Sequence, residues 1–91
     1  MTRTLARELA EKINQEVTVC GWLHKKRLLG GLNFITIRDR SGLIQTLVED
    51  KNEMEKLRGM QTGSVVSFTG TVVADERAPQ GAELHDVKVM V

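Results

Sequence analysis

Apolar and polar residues alternate in five stretches of this chain, and the alternation predicts five β-strands. The first stretch runs from Val17 to about Leu28. The later stretches are LNFITIRD (32–39), LIQTLVE (43–49), SVVSFTGTVVAD (64–75) and ELHDVKVMV (83–91). Short turns at residues 30–31 and 40–42 separate the first three strands, which are therefore predicted to form an antiparallel meander.

Two short helices are predicted beside these strands. Apolar residues recur every four positions across residues 5–13, which indicates an amphipathic helix with Thr4 as its N-cap. A second helix is predicted between the third and fourth strands, with Asp50 or Asn52 as its cap. Its apolar side is formed by Met54, Leu57 and Met60.

This order of elements predicts a mainly β protein with an OB-fold. The fold is a five-stranded Greek-key barrel with a helix between strands 3 and 4, here preceded by a short N-terminal helix. With 91 residues, of which 41% are hydrophobic, the chain is expected to form one domain over residues 1–91. It stops at the end of the last predicted strand, so we expect a fragment of a longer protein.

Positive charge is concentrated in one segment of the chain. Residues 24–40 hold five basic side chains and one acidic side chain, so their net charge is +4, whereas the remainder carries −3 and the whole chain +1. Such an asymmetry favours a local surface that faces phosphate groups. An ordinary solvated strand end is the alternative interpretation.

Phe34 lies within this basic segment and out of phase with the isoleucines beside it. If Ile35 and Ile37 fill the barrel, Phe34 faces outward, where a ring between basic side chains can stack on a nucleic-acid base. In the alternative interpretation, Phe34 closes one end of the barrel. Gln45 on the third strand offers a hydrogen-bond donor and an acceptor, as recognition of a base edge requires.

Three further residues are predicted to contribute to the barrel itself and not to a binding site. Trp22 and Phe68 are predicted to lie in the core, and Cys20 is predicted to be a small buried residue of the first strand. Arg77 and Pro79 fall in the loop before the last strand, which often lies over the ligand in OB-folds but is also typical of a surface hairpin.

The sequence contains no recognisable catalytic or metal-binding motif. It has no phosphate-binding loop of the GxxxxGK[ST] type, and the single cysteine excludes an internal disulfide. No apolar stretch is long enough to span a membrane, and the polar N-terminus does not resemble a signal peptide. We therefore expect a cytoplasmic binding domain that is not itself an enzyme, with no catalytic residues, metal or cofactor of its own.

Two stretches resemble a known family. The stretch VTVCGWLHKKRLLGGLNFITIRDRSGLIQ contains a G-W pair, a basic run, a glycine turn, F-x-x-x-R-D and a glutamine in the order found in the N-terminal anticodon-binding domain of class II aminoacyl-tRNA synthetases, aspartyl and asparaginyl branch. RAPQGAEL is similar to the loop between strands 4 and 5 of the archaeal-type aspartyl enzymes. The resemblance covers essentially the whole chain and implies that its partner is a tRNA anticodon loop.

The resemblance also implies roles for individual residues. Phe34 would stack on the central anticodon base, Gln45 would hydrogen-bond to an anticodon base, and Arg27 with Lys25 would contact the anticodon backbone or bases. In family members that act on both aspartate and asparagine tRNAs, a histidine and a proline tend to occupy two positions, which correspond here to His24 and Pro79. Pro79 offers no N–H and no polar side chain, so it would relax recognition of the third anticodon base.

Pro79 and His24 thus imply an aspartate-tRNA ligase of the non-discriminating type. By the same resemblance, the parent enzyme would be a homodimer that uses ATP and Mg²⁺ to attach aspartate to tRNA, with its catalytic domain outside these residues. Two other classes stay open for the chain, namely the anticodon-binding domain of an asparaginyl-tRNA synthetase and a general single-stranded nucleic-acid-binding OB module. A protein-interaction OB domain would instead show an exposed apolar patch in place of the basic one.

Overall fold

The computed structural model describes residues 3–29 and 32–90, and five strands dominate the architecture. The strands are β1 (Glu16–Leu29), β2 (Leu32–Asp39), β3 (Gly42–Val48), β4 (Val65–Ala74) and β5 (Ala82–Met90), and helix α1 (Lys51–Leu57) follows β3. The strands close into a barrel in the order β1-β2-β3-β5-β4, where β3 and β5 are parallel and the other neighbours antiparallel. The predicted mainly β OB-fold is confirmed. The predicted turn at residues 30–31 and the end of the last predicted strand at residue 91 lie outside the described residues.

Side chains that alternate inward along the strands fill the barrel. Ile35 and Ile37 are fully buried, and so is Phe68, as predicted. Gly21 of β1 lies close to the backbone of β2, since a Cβ there would lie 2.4 Å from the carbonyl oxygen of Arg38. Only glycine fits this approach of the two backbones. Other fully buried core residues are Val19, Leu23, Ile44, Val48, Val72 and Leu84.

Two residues of β1 for which the sequence predicts a core position lie on the outer face instead. Trp22 is 41% exposed. Cys20 is only partly buried, with its sulfur 3.4 Å from the hydroxyl of Ser67. Both predictions are wrong because Val19 and Leu23 occupy the inward positions of this alternating strand.

The N-terminal helix is shorter and tighter than predicted. It is a 3₁₀ helix over Ala6–Glu11 instead of an α-helix over residues 5–13, and its N-cap is Leu5, not Thr4. Thr4 is buried, and its N–H donates to the carbonyl of Thr18 in β1 at 2.7 Å. Thr4, which the local sequence marks as a helix cap, is thus bonded to the barrel instead. The residues after it form only a short 3₁₀ helix.

Helix α1 begins at the predicted cap and is tied to a distant strand. The Asp50 carboxylate accepts the N–H groups of Asn52 (2.7 Å) and Glu53 (3.4 Å). Glu53 in turn accepts the N–H of Val89 in β5 at 2.6 Å, while Lys56 donates to the Val89 carbonyl at 3.1 Å. The hydrogen bond from the Val89 N–H is the main cause that lowers the pKa of Glu53 below its usual value, and the hydrogen bond from Lys56 lowers it further.

A β-bulge in β1 determines which side chains share the outer face of the barrel. Leu23 pairs with Ile37, but the next pair is Lys25 with Thr36, so His24 is an extra residue with no partner position in β2. Before the bulge the even-numbered residues of β1 face outward, and after it the odd-numbered ones do, because residues directly opposite each other share a face.

Candidate nucleic-acid interface

Two rows of side chains cross the outer face of β1, β2 and β3. In one row, Lys25 lies opposite Thr36, which lies opposite Gln45. In the next row, Arg27 lies opposite Phe34. The bulge creates both rows, because without its shift of one residue Lys25 and Arg27 would face the other side of β1.

A pocket of about 240 Å³ joins part of this face to the loop between β4 and β5. The structure brings three of the predicted site residues together in its lining, and Phe34 is partly buried on the outer face with part of its side chain still accessible. The loop adds an acidic and a basic side chain. The lining residues are Arg27, Phe34, Gln45, Asp75 and Arg77.

Asp75 holds the start of the loop and orients Arg77. The Asp75 carboxylate accepts the backbone N–H of Arg77 at 2.9 Å and its Nε–H at 3.4 Å. These two bonds, the backbone one first, lower the pKa of Asp75. Because Asp75 engages Nε and the Arg77 side chain is 87% exposed, the outer nitrogens of the guanidinium are accessible to a phosphate or a base.

A buried carboxylate lies behind Gln45. Glu83 of β5 is 3% exposed and pairs with Gln45 across the parallel β3–β5 ladder. Its Oε1 accepts Nε2–H of Gln45 at 2.6 Å, and its Oε2 lies 2.6 Å from Nε2 of His85. A hydrogen bond to Glu83 also contributes, after those from Arg77, to the lowered pKa of Asp75. Gln45 is therefore held from behind by a polar network that connects to the β4–β5 loop.

Three of the predicted site residues do not line the pocket. Lys25 is exposed in the row beside it, and His24 is exposed at the bulge. Pro79 is exposed in the loop that also contains Asp75 and Arg77. Neither of the predicted specificity residues, His24 and Pro79, lines the pocket that contains Phe34 and Gln45.

A larger pocket of about 480 Å³ lies beside α1 and contains none of the predicted site residues. Charges of both signs line it, and no aromatic ring does, so it lacks a stacking surface. Its lining is Lys26, Asn33, Glu49, Lys51, Met54, Glu55, Leu57, Arg58 and Gly59. Among residues 3–29 and 32–90, no three His, Cys, Asp or Glu side chains are placed to hold a metal ion. Within the same ranges, no helix is both long and apolar enough to cross a membrane.

Sequence reasoning missed Asp75, Glu83 and His85, and placed Arg77 only in a loop. The spacing of two between Glu83 and His85 was an available signal, because it puts both on one face of a strand. Their position behind Gln45 depends on the parallel β3–β5 pairing, which no local sequence pattern encodes.

Comparisons with known proteins match this chain to a family and to a solved structure. A family model for the tRNA anticodon type of OB-fold nucleic acid binding domain matches residues 17–91. The aspartate-tRNA(Asp/Asn) ligase of Methanococcus maripaludis is 38% identical over 87 residues, covering 91% of this chain and 20% of the relative. That of Saccharolobus solfataricus is 42% identical over 95 residues, covering 99% and 22%.

A solved structure is similar over the full chain. The crystal structure of asparaginyl-tRNA synthetase from Pyrococcus horikoshii, complexed with asparaginyl-adenylate, superposes with a TM-score of 0.90 at 33% identity, covering 100% of this chain and 22% of that one. The chain therefore spans about a fifth of the length of these relatives.

Proposed function

Because this chain belongs to the OB-fold nucleic acid binding domains of the tRNA anticodon type, we propose that it binds the anticodon loop of tRNA as one domain of an aspartate-tRNA ligase. Its membership confirms the resemblance found in the sequence motifs. The observation that best supports the proposal is the pocket where Phe34 lies with Arg27, Gln45 and Arg77.

The aromatic, amide and basic side chains of this face suit an unstacked loop nucleotide. The accessible part of Phe34 stacks on a base, and Arg27, Lys25 and Arg77 attract the neighbouring phosphates. Gln45 hydrogen-bonds to the edge of a base. Stacking without Gln45 would accept any base, so the amide supplies the recognition and the basic side chains supply most of the affinity.

Relaxed specificity is the second part of the proposal. The names of the curated relatives include both tRNA(Asp) and tRNA(Asn), and we assign the same pair of substrates to this chain. Pro79 lies in the loop with Arg77 and offers no donor that would distinguish C from U at the third anticodon position. Pro79→Lys is expected to improve this discrimination, measured with two stem-loops that end in C or U; an equal change for both would contradict the role of Pro79. His24 is proposed to act in the same selection from its exposed position at the bulge.

The chemistry of the parent enzyme is proposed for residues outside this chain. The parent would be a cytoplasmic homodimer that joins aspartate to tRNA with ATP and Mg²⁺. The described residues do not fit either group, since they hold no cluster of metal-ligating side chains and no phosphate-binding loop. An asparagine-specific parent is the second candidate, because the full-length match at a TM-score of 0.90 is an asparaginyl enzyme.

The test is equilibrium binding of the chain, at fixed salt, to anticodon stem-loops that end in C or U and to one with a scrambled loop. Comparable binding to the first two and weaker binding to the third is expected. Preference for the C-ending loop would retain anticodon recognition and remove the dual specificity, whereas preference for the U-ending loop would favour the asparagine-specific parent. Equal binding to all three would instead indicate a general single-strand-binding module.

Phe34 variants test the stacking role directly. Phe34→Ala is expected to weaken stem-loop binding by about 1–3 kcal/mol, the usual contribution of one base–aromatic stack. Phe34→Tyr preserves the ring and is the matched control, with urea unfolding of both variants to establish that the fold is unchanged. An unaltered affinity in the alanine variant would remove Phe34 from the site.

A further inference from the structure

We propose that His85 is a positioning residue that fixes the orientation of the Gln45 amide, and with it the hydrogen-bonding class of base that the pocket accepts. The inference rests on the proposed function, since it concerns the base edge that Gln45 contacts. His85 does not line the pocket and would act only through Glu83.

The geometry behind Gln45 determines which end of the amide faces inward. The two oxygens of Glu83 engage different partners, Gln45 and His85, each at 2.6 Å. Oε1 of Glu83 accepts the hydrogen bond from the Gln45 amide. Gln45 can donate only through Nε2, which places its carbonyl oxygen at a defined position on the side away from Glu83.

A fixed amide distinguishes two classes of base. Uracil and guanine carry a ring N–H donor beside a carbonyl acceptor, whereas cytosine and adenine carry an amino donor beside a ring-nitrogen acceptor, in the reverse order. An amide that can turn over satisfies either order, but an amide held in one orientation satisfies only one of them.

His85 helps to fix the plane of the Glu83 carboxyl group, because Oε1 and Oε2 are each held by a separate partner. Asp75, which itself holds Arg77, faces Glu83 from the loop after β4. Without His85, Oε2 of a residue that is only 3% exposed would lose this partner, and the carboxyl group could rotate out of its present plane. The Gln45 amide would then no longer be held in one orientation.

The experiment compares the wild-type chain with His85→Leu, His85→Gln and Lys88→Ala. Each protein is titrated with a set of anticodon stem-loops. Within the set, one anticodon position at a time is changed, and the base there is U, C, G or A. At the position that contacts Gln45, the wild type is expected to prefer one class by about tenfold or more, and His85→Leu to reduce that preference to about twofold. His85→Gln replaces the Nε2–H donor with an amide donor at similar reach and should keep the preference. Lys88→Ala, an exposed change on the same strand, should also keep it.

The outcomes separate this inference from the proposed function. A purely structural role for His85 would weaken binding to all loops equally and leave their ratio unchanged, which would overturn the inference while anticodon binding stands. A wild type that prefers anticodon loops but shows no preference between the two classes at any position would overturn it as well. Equal binding of the wild type to anticodon and scrambled loops would overturn both proposals.

Discussion

Asp39 is the last residue of β2, at the turn to β3, and its replacement by asparagine should destabilise the barrel measurably. The carboxylate is 3% exposed. Its Oδ2 accepts the N–H of Ala6 at 2.8 Å, and its Oδ1 accepts the N–H and hydroxyl of Ser41 (2.7 and 2.8 Å) and the N–H of Gly42 (3.1 Å). One side chain therefore joins the N-terminal 3₁₀ helix to the turn.

Asparagine can keep only one side of this arrangement. Its oxygen can stay on Ser41 and Gly42, but its NH₂ group then meets the N–H of Ala6, so a bond to a charged acceptor is lost and two donors face each other. A hydrogen bond to a charged group contributes about 1.5–3 kcal/mol, and with the weakened turn we expect Asp39→Asn to cost about 2–4 kcal/mol. Ser41→Ala removes a single hydroxyl donor and should cost only about 0.5–1.5 kcal/mol.

The assay is urea unfolding of the wild type and both variants at pH 7 and at several acidic pH values. Burial alone would raise the pKa of Asp39, but the bonds from Ser41, Ala6 and Gly42 together lower it below its ordinary value of 3.8. The stabilisation is therefore complete above that value and is lost as pH falls through the lower pKa of the folded state. A smaller cost for Asp39→Asn than for Ser41→Ala, or a difference between wild type and Asp39→Asn that stays constant in acid, would contradict this role of the carboxylate.

Three further predictions concern the bulge, the close approach of β2 to Gly21, and the hydrogen bond from Val89 to Glu53 of α1. Lys25→Ala should weaken RNA binding and reduce the slope of log affinity against log salt by about 0.7, whereas Lys26→Ala, on the other face of β1, should change neither. Gly21→Ala should lower the free energy of unfolding by about 1–3 kcal/mol, read from urea curves, and an unchanged midpoint would contradict the short distance to β2. Glu53→Gln should cost about 1 kcal/mol at pH 7. Because folding lowers the pKa of Glu53, the extra stability of the wild type should be present above the ordinary value of 4.5 and should shrink as pH falls below it. A stability difference between wild type and Glu53→Gln that does not change with pH would argue against the Val89 contact.

Alternation along the chain was sufficient to predict the barrel. Burial of one face imposes a period of two, so the five strands, the outward position of Phe34 and the core position of Phe68 were all encoded locally. Asp50 was likewise predictable as a cap, because its bonds are made to its own neighbours in sequence.

The errors occurred where distant contacts override local pattern. Thr4 was expected to cap a helix but bonds to β1, and the pairing of Glu83 with Gln45 exists only once β3 and β5 close the barrel. Trp22 was predicted to be buried on residue type alone, although its own phase in the strand placed it outside. The resemblance identified Lys25 and Arg27, but the reason that they face Phe34 is the bulge, which the period of two does not predict.

The extra residue at His24 makes strand length a determinant of the RNA-binding face. Residues 25–27 face one side of the sheet or the other according to the number of residues before them in the strand, and not according to their own chemistry. Inserting one residue between His24 and Lys25, with the bulge kept, would place Lys26 opposite Phe34 and turn Lys25 and Arg27 away, with nearly the same composition and the same buried core. A one-residue insertion in this strand therefore exchanges one surface for another in a single step, which no single substitution does.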